Sequence, residues 1–191
     1  MGLPVMAYGE PVLRKKAKEI DKDYPNLQKL IEDMFETMYA SNGVGLAAPQ
    51  INKSIRLVVL DATPFTEFEG LTESEIKMAT GKKVIINPVM LDEFGDEWAF
   101  NEGCLSIPGI NEDVKRYDTI KISYYDENFN FHKKEIGNVL ARVIQHEYDH
   151  LEGILFTDHL SNFKKRLIKR KLENISKGKV NVDYRMKFPK K

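Results

Sequence analysis

The chain has 191 residues, of which 42% are hydrophobic and 10% aromatic, and its 29 Lys and Arg residues balance 29 Asp and Glu residues. These values are typical of one globular domain and exclude a disordered chain, a collagen-like chain and a small disulfide scaffold. A single Cys cannot form an internal disulfide, and every apolar stretch is too short for a signal peptide or a membrane span. We therefore expect a cytoplasmic protein with a reduced thiol and no membrane attachment.

The balanced charge conceals two regions of opposite sign. Between Leu160 and Lys191, twelve Lys and Arg residues accompany only Glu173 and Asp183, so this segment carries +10 and the residues before it carry −10. The sequence predicts a single domain over residues 1–176, including a basic helix over 160–175, and a flexible basic tail over 177–191.

The first predicted elements are one helix and several strands. Apolar residues recur at three- and four-residue spacing from Asn26 to Ala40, which predicts an amphipathic helix ending at Ser41-Asn42-Gly43. Apolar runs or alternating apolar residues predict four strands, over Ile55–Leu60, Lys83–Asn87, Thr119–Tyr125 and Phe129–Glu135. Asn87-Pro88 ends the second of these strands. Consecutive strands with few helices between them favour an α+β fold with antiparallel or mixed sheets.

A polar, acidic segment lies between the first and the second predicted strands. It runs from Ala62 to Lys82, and Thr72-Glu73-Ser74-Glu75 predicts a capped short helix within it. We interpret this segment as a surface loop and assign it no function.

The most informative string is QHEYDHLEG at residues 145–153. On a helix, His146 and His150 lie one turn apart at the edge of an apolar face that includes Val143, so their ring nitrogens can converge on one point. The opposite arc holds polar residues, namely Asn138, Arg142, Gln145, Asp149 and Glu152, and Gly153 ends the helix.

The His pair with Glu147 between its members is typical of a metal-assisted hydrolase. A lone His on an apolar face is usually a core residue, but two imidazoles and an adjacent carboxylate supply metal ligands and a proton carrier together. We expect a metal-binding helix at the centre of the fold.

Cys104, within the string NEGCLSIPG, could provide a third ligand. A thiolate with two imidazoles forms an open site with room for water. The alternatives are an inert buried thiol and a protease-type nucleophile, although the nucleophile would leave the paired histidines unexplained.

A further string, GVGLAAPQ, lies at residues 43–50. Its glycines are compatible with a simple helix-to-strand connection. The neutral amide of Gln50 could donate a hydrogen bond to a developing oxyanion.

The three strings together resemble the peptide deformylase family. The family motifs Gly-x-Gly-Leu-Ala-Ala-Pro-Gln, Glu-Gly-Cys-Leu-Ser and Gln-His-Glu-x-Asp-His-Leu-x-Gly stand intact and in order, and the opening YGEPVLR at residues 8–14 is also similar. The likeness covers about residues 5–165. It implies an α+β fold with a central metal-binding helix, and removal of the formyl group from the formylmethionine of newly made polypeptides with release of formate.

The resemblance also assigns roles to residues at matching positions. It implies one divalent metal ion, Fe²⁺ first and Zn²⁺, Ni²⁺ or Co²⁺ as alternatives, bound by Cys104, His146 and His150. Glu147 would be the general base and then acid, and Gln50 with the backbone N–H of Leu105 would bind the oxyanion. The peptide would lie as an added strand along Gly45, with Val44 and Gly103 beside it, and Val143, next to the ligands on the helix, would line the pocket of the methionine side chain. The Ala62–Lys82 insertion departs from the family pattern.

Two further expectations concern charge. We hypothesise that Glu102 and Arg116 form an ion pair that fixes the Cys104 loop. From Leu160 to Ile175, a stripe of Leu160, Phe163, Leu167, Ile168, Leu172 and Ile175 among basic residues predicts one amphipathic helix. Its cations at Lys164–Lys171 could dock on ribosomal RNA; the alternatives are a solvated surface and, less favoured without aromatic anchors, a membrane.

Two other functions remain open on the sequence alone. A zincin-type protease shares His-Glu-x-x-His, and His159 would be its downstream third ligand, although the longer metzincin signature is missing. A ribosome- or RNA-binding module would use the basic segment and hold a merely structural metal. We expect a monomer that acts on N-formylmethionyl peptides.

Overall fold

The computed structural model describes residues 2–190 and confirms the α+β fold; the predicted boundaries at residues 1 and 191 lie outside this range. The helices are α1 (Leu27–Ala40), α2 (Glu73–Ala79), α3 (Asn138–Glu152) and α4 (Asn162–Ser176). The strands are β1 (Val5–Met6), β2 (Gly45–Ala47), β3 (Leu57–Leu60), β4 (Lys83–Cys104), β5 (Ile107–Tyr125), β6 (Phe131–Gly137) and β7 (Met186–Lys187). None of the helices within residues 2–190 has the length and apolar character needed to cross a membrane.

The main sheet has five strands in the order β2-β3-β4-β5-β6, and all neighbours are antiparallel. Strand β3 is buried on both faces, because Leu57 and Val59 pack in a cluster with α1 whereas Val58 and Leu60 pack in a cluster with α3. The sheet therefore lies between α1 and α3, and α3 has an apolar bed along one side.

The strands β4 and β5 are much longer than the sequence predicted. They form one hairpin from Lys83 to Tyr125, whereas the prediction ended one strand at Asn87-Pro88 and began the next at Thr119. The pairing shifts register between Ile86 and Val89, so Pro88 occupies a bulge, where a missing backbone N–H costs no ladder hydrogen bond. Cys104 is the last residue of β4 and lies at the end of this hairpin, next to α3.

The insertion contains the capped short helix that the sequence predicts. The Thr72 side chain accepts a hydrogen bond from the Glu75 N–H at 3.3 Å, and the Thr72 N–H donates to the Glu75 carboxylate at 2.7 Å. Helix α2 then packs against α3, with Ala79 fully buried in the same apolar cluster.

Helix α4 confirms the predicted basic helix but corrects its apolar stripe. Ile168, Leu172 and Ile175 are buried, while Phe163 and Leu167 are 62% and 63% exposed. At roughly 100° per residue, Phe163 and Leu167 lie about a third of a turn away from the buried three, so one face cannot bury all five. Leu160 is buried, but it precedes the helix, which begins after the Ser161 cap.

The segment after α4 departs from the expected flexible tail. Strand β7 pairs in parallel with β1, in the register Val5 to Met186 and Met6 to Lys187. Val180, Met186 and Phe188 pack on the cluster that α4 buries. These widely spaced apolar residues attach the segment to the body, although it lies at the end of the chain.

Candidate active site

The end of β4 and the centre of α3 bring together Cys104, His146 and His150. One ligand atom from each of these residues lies within 4.8 Å of the others. The Cys104 Sγ is 3.3 Å from the His150 Nε2, and the two imidazole ring centres are 5.2 Å apart. The predicted convergence of two histidines one helical turn apart is therefore what the structure shows.

The chemistry around these three side chains fits a divalent metal ion. Burial opposes ionisation of the Cys104 thiol, but His150 and His146 outweigh it and lower the pKa of this thiol to about 5, which favours a ligating thiolate. The Glu147 carboxylate is buried beside the triad, and its Oε2 has no hydrogen-bond partner within residues 2–190. Because a buried carboxylate oxygen is rarely left unpaired, this atom is suited to pair with a group bound at the site.

Burial also affects the acidity of Glu147. It raises the pKa of this carboxyl against the opposing charges of His146 and His150. A raised pKa makes the carboxylate a stronger base, so that it takes a proton from water more readily, as general base catalysis requires.

Behind the triad, Glu102 orders the ligands. Its carboxylate accepts hydrogen bonds from Arg116 Nε at 2.7 Å and Nη2 at 3.0 Å, and it lies 2.9 Å from His146 Nδ1. The predicted ion pair is thus present and buried. The contact with Nδ1 leaves the Nε2 of His146 to face Cys104, a common arrangement behind a metal-binding imidazole.

Arg142 is a site residue that sequence reasoning missed. The helical wheel puts Arg142 on the polar arc of α3, yet it is only 2% exposed. It donates to Glu102 Oε1 at 2.9 Å and to the carbonyls of Val114 and Trp98 at 3.0 and 2.7 Å. A helical wheel cannot show this, because the long β4–β5 hairpin covers the polar side of α3 as well.

The downstream histidine, His159, pairs with a residue on the polar arc of α3. Asp149 accepts from Arg116 Nη1 at 2.8 Å and lies 2.7 Å from His159 Nε2. His159 therefore belongs to a charged network that supports Glu102 and lies outside the ligand cluster. The zincin-type alternative, which needs His159 as a ligand, has no support in this geometry.

The string at residues 43–50 lines the site and packs against α3. A Cβ on Gly45 would lie 2.4 Å from Glu147 Oε1, so only glycine permits this approach of β2 to the carboxylate. Gln50 accepts from the Ala47 N–H at 2.9 Å through Oε1, and its Nε2 donates to Ser106 Oγ at 3.2 Å and lies 3.5 Å from Cys104 Sγ. The amide group is therefore fixed with its donor toward the triad.

A cleft of about 960 Å³ opens beside these residues. The other predicted site residues, namely Val44, Gly103, Leu105 and Val143, all line it. The insertion contributes as well: Phe65 lines the cleft and packs edge-on against Phe100, with ring centres 5.5 Å apart. The interpretation of residues 62–82 as a plain surface loop therefore missed a wall of the cleft.

Comparison with known proteins agrees with this geometry. The family model described as polypeptide deformylase matches residues 3–166. The chain belongs to the peptide deformylase family. As a member, it is a hydrolase that removes the N-formyl group from newly made polypeptides.

Individual peptide deformylases match over almost their full length. The enzyme of Christiangramia forsetii is 58% identical over 99% of this chain and 97% of its own, and that of Flavobacterium psychrophilum is 55% identical over 100% of both. The crystal structure of the Thermotoga maritima peptide deformylase is 38% identical, with a TM-score of 0.73 over 84% of this chain and 99% of that one. The likeness thus covers both fold and sequence.

Proposed function

We propose that Cys104, His146 and His150 hold one divalent metal ion and that Glu147 carries the protons of the hydrolysis. The observation that supports this best is the position of the unpaired Glu147 Oε2, which is buried beside three converging ligand atoms in the wall of a cleft. Thiolate and imidazole donors suit first-row divalent ions. Following the family, we propose Fe²⁺, with Zn²⁺, Ni²⁺ or Co²⁺ as replacements.

The residues around the site then divide the reaction between them. When bound, the ion would polarise the formyl carbonyl and lower the pKa of water. Glu147 takes the proton of the attacking water and delivers it to the leaving amine. The Gln50 amide and the Leu105 backbone N–H donate to the oxygen on which negative charge develops.

The cleft accommodates the peptide. We propose that the substrate backbone lies along Gly45 and Gly103 as an added strand, because the backbone of β2 and the end of β4 border the cleft. Val44 and Val143 would line the pocket of the methionine side chain, next to Glu147. The substrate is an N-formylmethionyl peptide in this proposal.

The substrate class can be tested by comparing three peptides on the metal-loaded protein. Formyl-Met-Ala-Ser should release formate, whereas acetyl-Met-Ala-Ser and a blocked peptide with only internal bonds should remain intact. Cleavage of internal bonds at a similar rate would instead support a protease, and this result would contradict the proposal.

We also propose that the exposed side of α4 docks on the ribosome, which would place the enzyme where nascent chains emerge in the cytoplasm. The Lys164 Nζ donates to the Glu112 carboxylate at 2.8 Å. The other cations, Lys165, Arg166, Lys169 and Arg170, are exposed. The exposed Phe163 and Leu167 add apolar area to this basic surface. Positive charge of this density favours phosphate backbones.

Reversing two of these charges separates docking from catalysis. The double variant Lys165→Glu/Lys169→Glu should weaken salt-sensitive cosedimentation with ribosomes by about tenfold or more while formate release from a free peptide stays unchanged. The matched control is Lys121→Glu/Lys133→Glu on the β5–β6 surface, which should bind ribosomes as the unmodified protein does. Equal binding by both double variants would rule out docking through α4.

A further inference from the structure

We infer that the two ends of the chain form a clamp that positions the Leu105-Ser106 turn for catalysis, with Tyr184 as its positioning residue. This inference rests on the proposed role of the Leu105 N–H as an oxyanion donor. The turn joins β4 to β5 and follows Cys104 directly, so it links a proposed metal ligand to the proposed donor.

Contacts from outside the hairpin hold both residues of this turn. The Tyr184 hydroxyl donates to the Leu105 carbonyl at 2.8 Å, and the Tyr8 N–H donates to the Ser106 carbonyl at 2.8 Å. In addition, Gln50 Nε2 donates to the Ser106 hydroxyl at 3.2 Å. A two-residue turn has few internal hydrogen bonds, so its peptide planes depend on these partners.

The contacts from Tyr184 and Tyr8 come from one small unit. Strands β1 and β7 pair in parallel, flanked by hydrogen bonds from the Val5 N–H to the Arg185 carbonyl at 2.9 Å and from the Ala7 N–H to the Lys187 carbonyl at 2.8 Å. Tyr184 precedes β7 by two residues, and Tyr8 follows β1 by two. Each terminus thus fixes the other, and together they carry the two donors to the turn.

Tyr184 also lies close to the reaction. It lines the same cleft as Cys104 and Glu147, and burial raises the pKa of its hydroxyl to about 12, so the group remains a donor across the working range of pH. The carbonyl and the N–H of Leu105 belong to adjacent peptide planes that meet at the Leu105 Cα. Holding the carbonyl therefore restricts φ and ψ of Leu105, and these angles set the direction of its N–H. A donor for a transition state acts only if it is held in place beforehand.

The variant Tyr184→Phe removes only the hydroxyl. We expect kcat for formate release to fall by about tenfold with KM little changed, because the lost orientation affects the transition state rather than peptide binding. Bound metal per chain and Tm should match those of the unmodified protein. The control Tyr117→Phe removes a hydroxyl from a half-exposed tyrosine of β5 and should leave kcat unchanged.

Hydrogen exchange gives a second measurement that does not depend on activity. In Tyr184→Phe, amides of the peptide spanning residues 103–108 should exchange faster than in the unmodified protein, while those of α3 should not. Unchanged kcat together with unchanged exchange would overturn the clamp, as would an effect confined to KM. Failure of the unmodified, metal-loaded protein to release formate would refute the proposed function instead, and the exchange measurement would still decide whether Tyr184 holds the turn.

Discussion

Glu147→Gln is expected to lower kcat for formate release by about 10³-fold while the protein keeps its metal. Gln matches the shape of Glu but cannot take a proton from water and return it to the leaving amine. The side chain is buried against Gly45 and is not one of the three ligands, so neither the fold nor the ligand cluster should change. Steady-state kinetics on a formyl-Met peptide and metal analysis of the same sample measure both quantities.

The control for this prediction is Glu135→Gln, which makes the same chemical change at an exposed position of β6. Its kcat should equal that of the unmodified enzyme. If Glu147→Gln retained its metal and hydrolysed the peptide within a few-fold of the normal rate, Glu147 could not be the proton carrier.

Glu102→Gln is expected to affect stability and metal binding together. Glu102 is 5% exposed and faces the guanidinium groups of Arg116 and Arg142, so loss of its charge removes the carboxylate that pairs with Arg142 and leaves Arg116 with its second partner, Asp149. Breaking a buried ion pair from one side typically lowers the free energy of unfolding by about 3–5 kcal/mol. Loss of the carboxylate behind His146 should also weaken metal affinity by about 10–100-fold.

Urea unfolding of the apo-protein and titration with metal separate these two effects. Glu97→Gln, on the exposed part of β4, should change neither the free energy of unfolding nor the affinity. Unchanged metal affinity in Glu102→Gln would show that His146 is oriented by packing alone and would contradict the role assigned to this carboxylate.

Periodicity predicted the helices well and the long strands poorly. The boundaries of α1 and α4 came within two residues, because each helix buries a stripe that recurs with the helical period. Residues 91–97 of β4 are mostly exposed and include four acidic residues, so no apolar alternation marks this part of the strand. Its pairing with β5 comes from the hairpin as a whole, and Pro88 is tolerated only because a bulge falls there.

The triad was predictable because its chemistry is local in sequence. His146 and His150 are spaced by one turn of α3, and only one Cys could join them. Other parts of the site depend on tertiary contacts between distant segments. Arg142 looked polar and exposed on a wheel, and Tyr184 lies 79 residues from Leu105, whose carbonyl it binds.

The metal dependence of the reaction is tested most directly by titrating the apo-protein with Fe²⁺ under anaerobic conditions and measuring formate release from a formyl-Met peptide at each step. We expect activity to rise in proportion to bound metal and to saturate at one ion per chain. The variant Cys104→Ser should bind the metal more weakly and lose activity in parallel. Formate release at the full rate without bound metal, or saturation at one ion per chain without formate release, would contradict a single catalytic metal ion held by Cys104, His146 and His150.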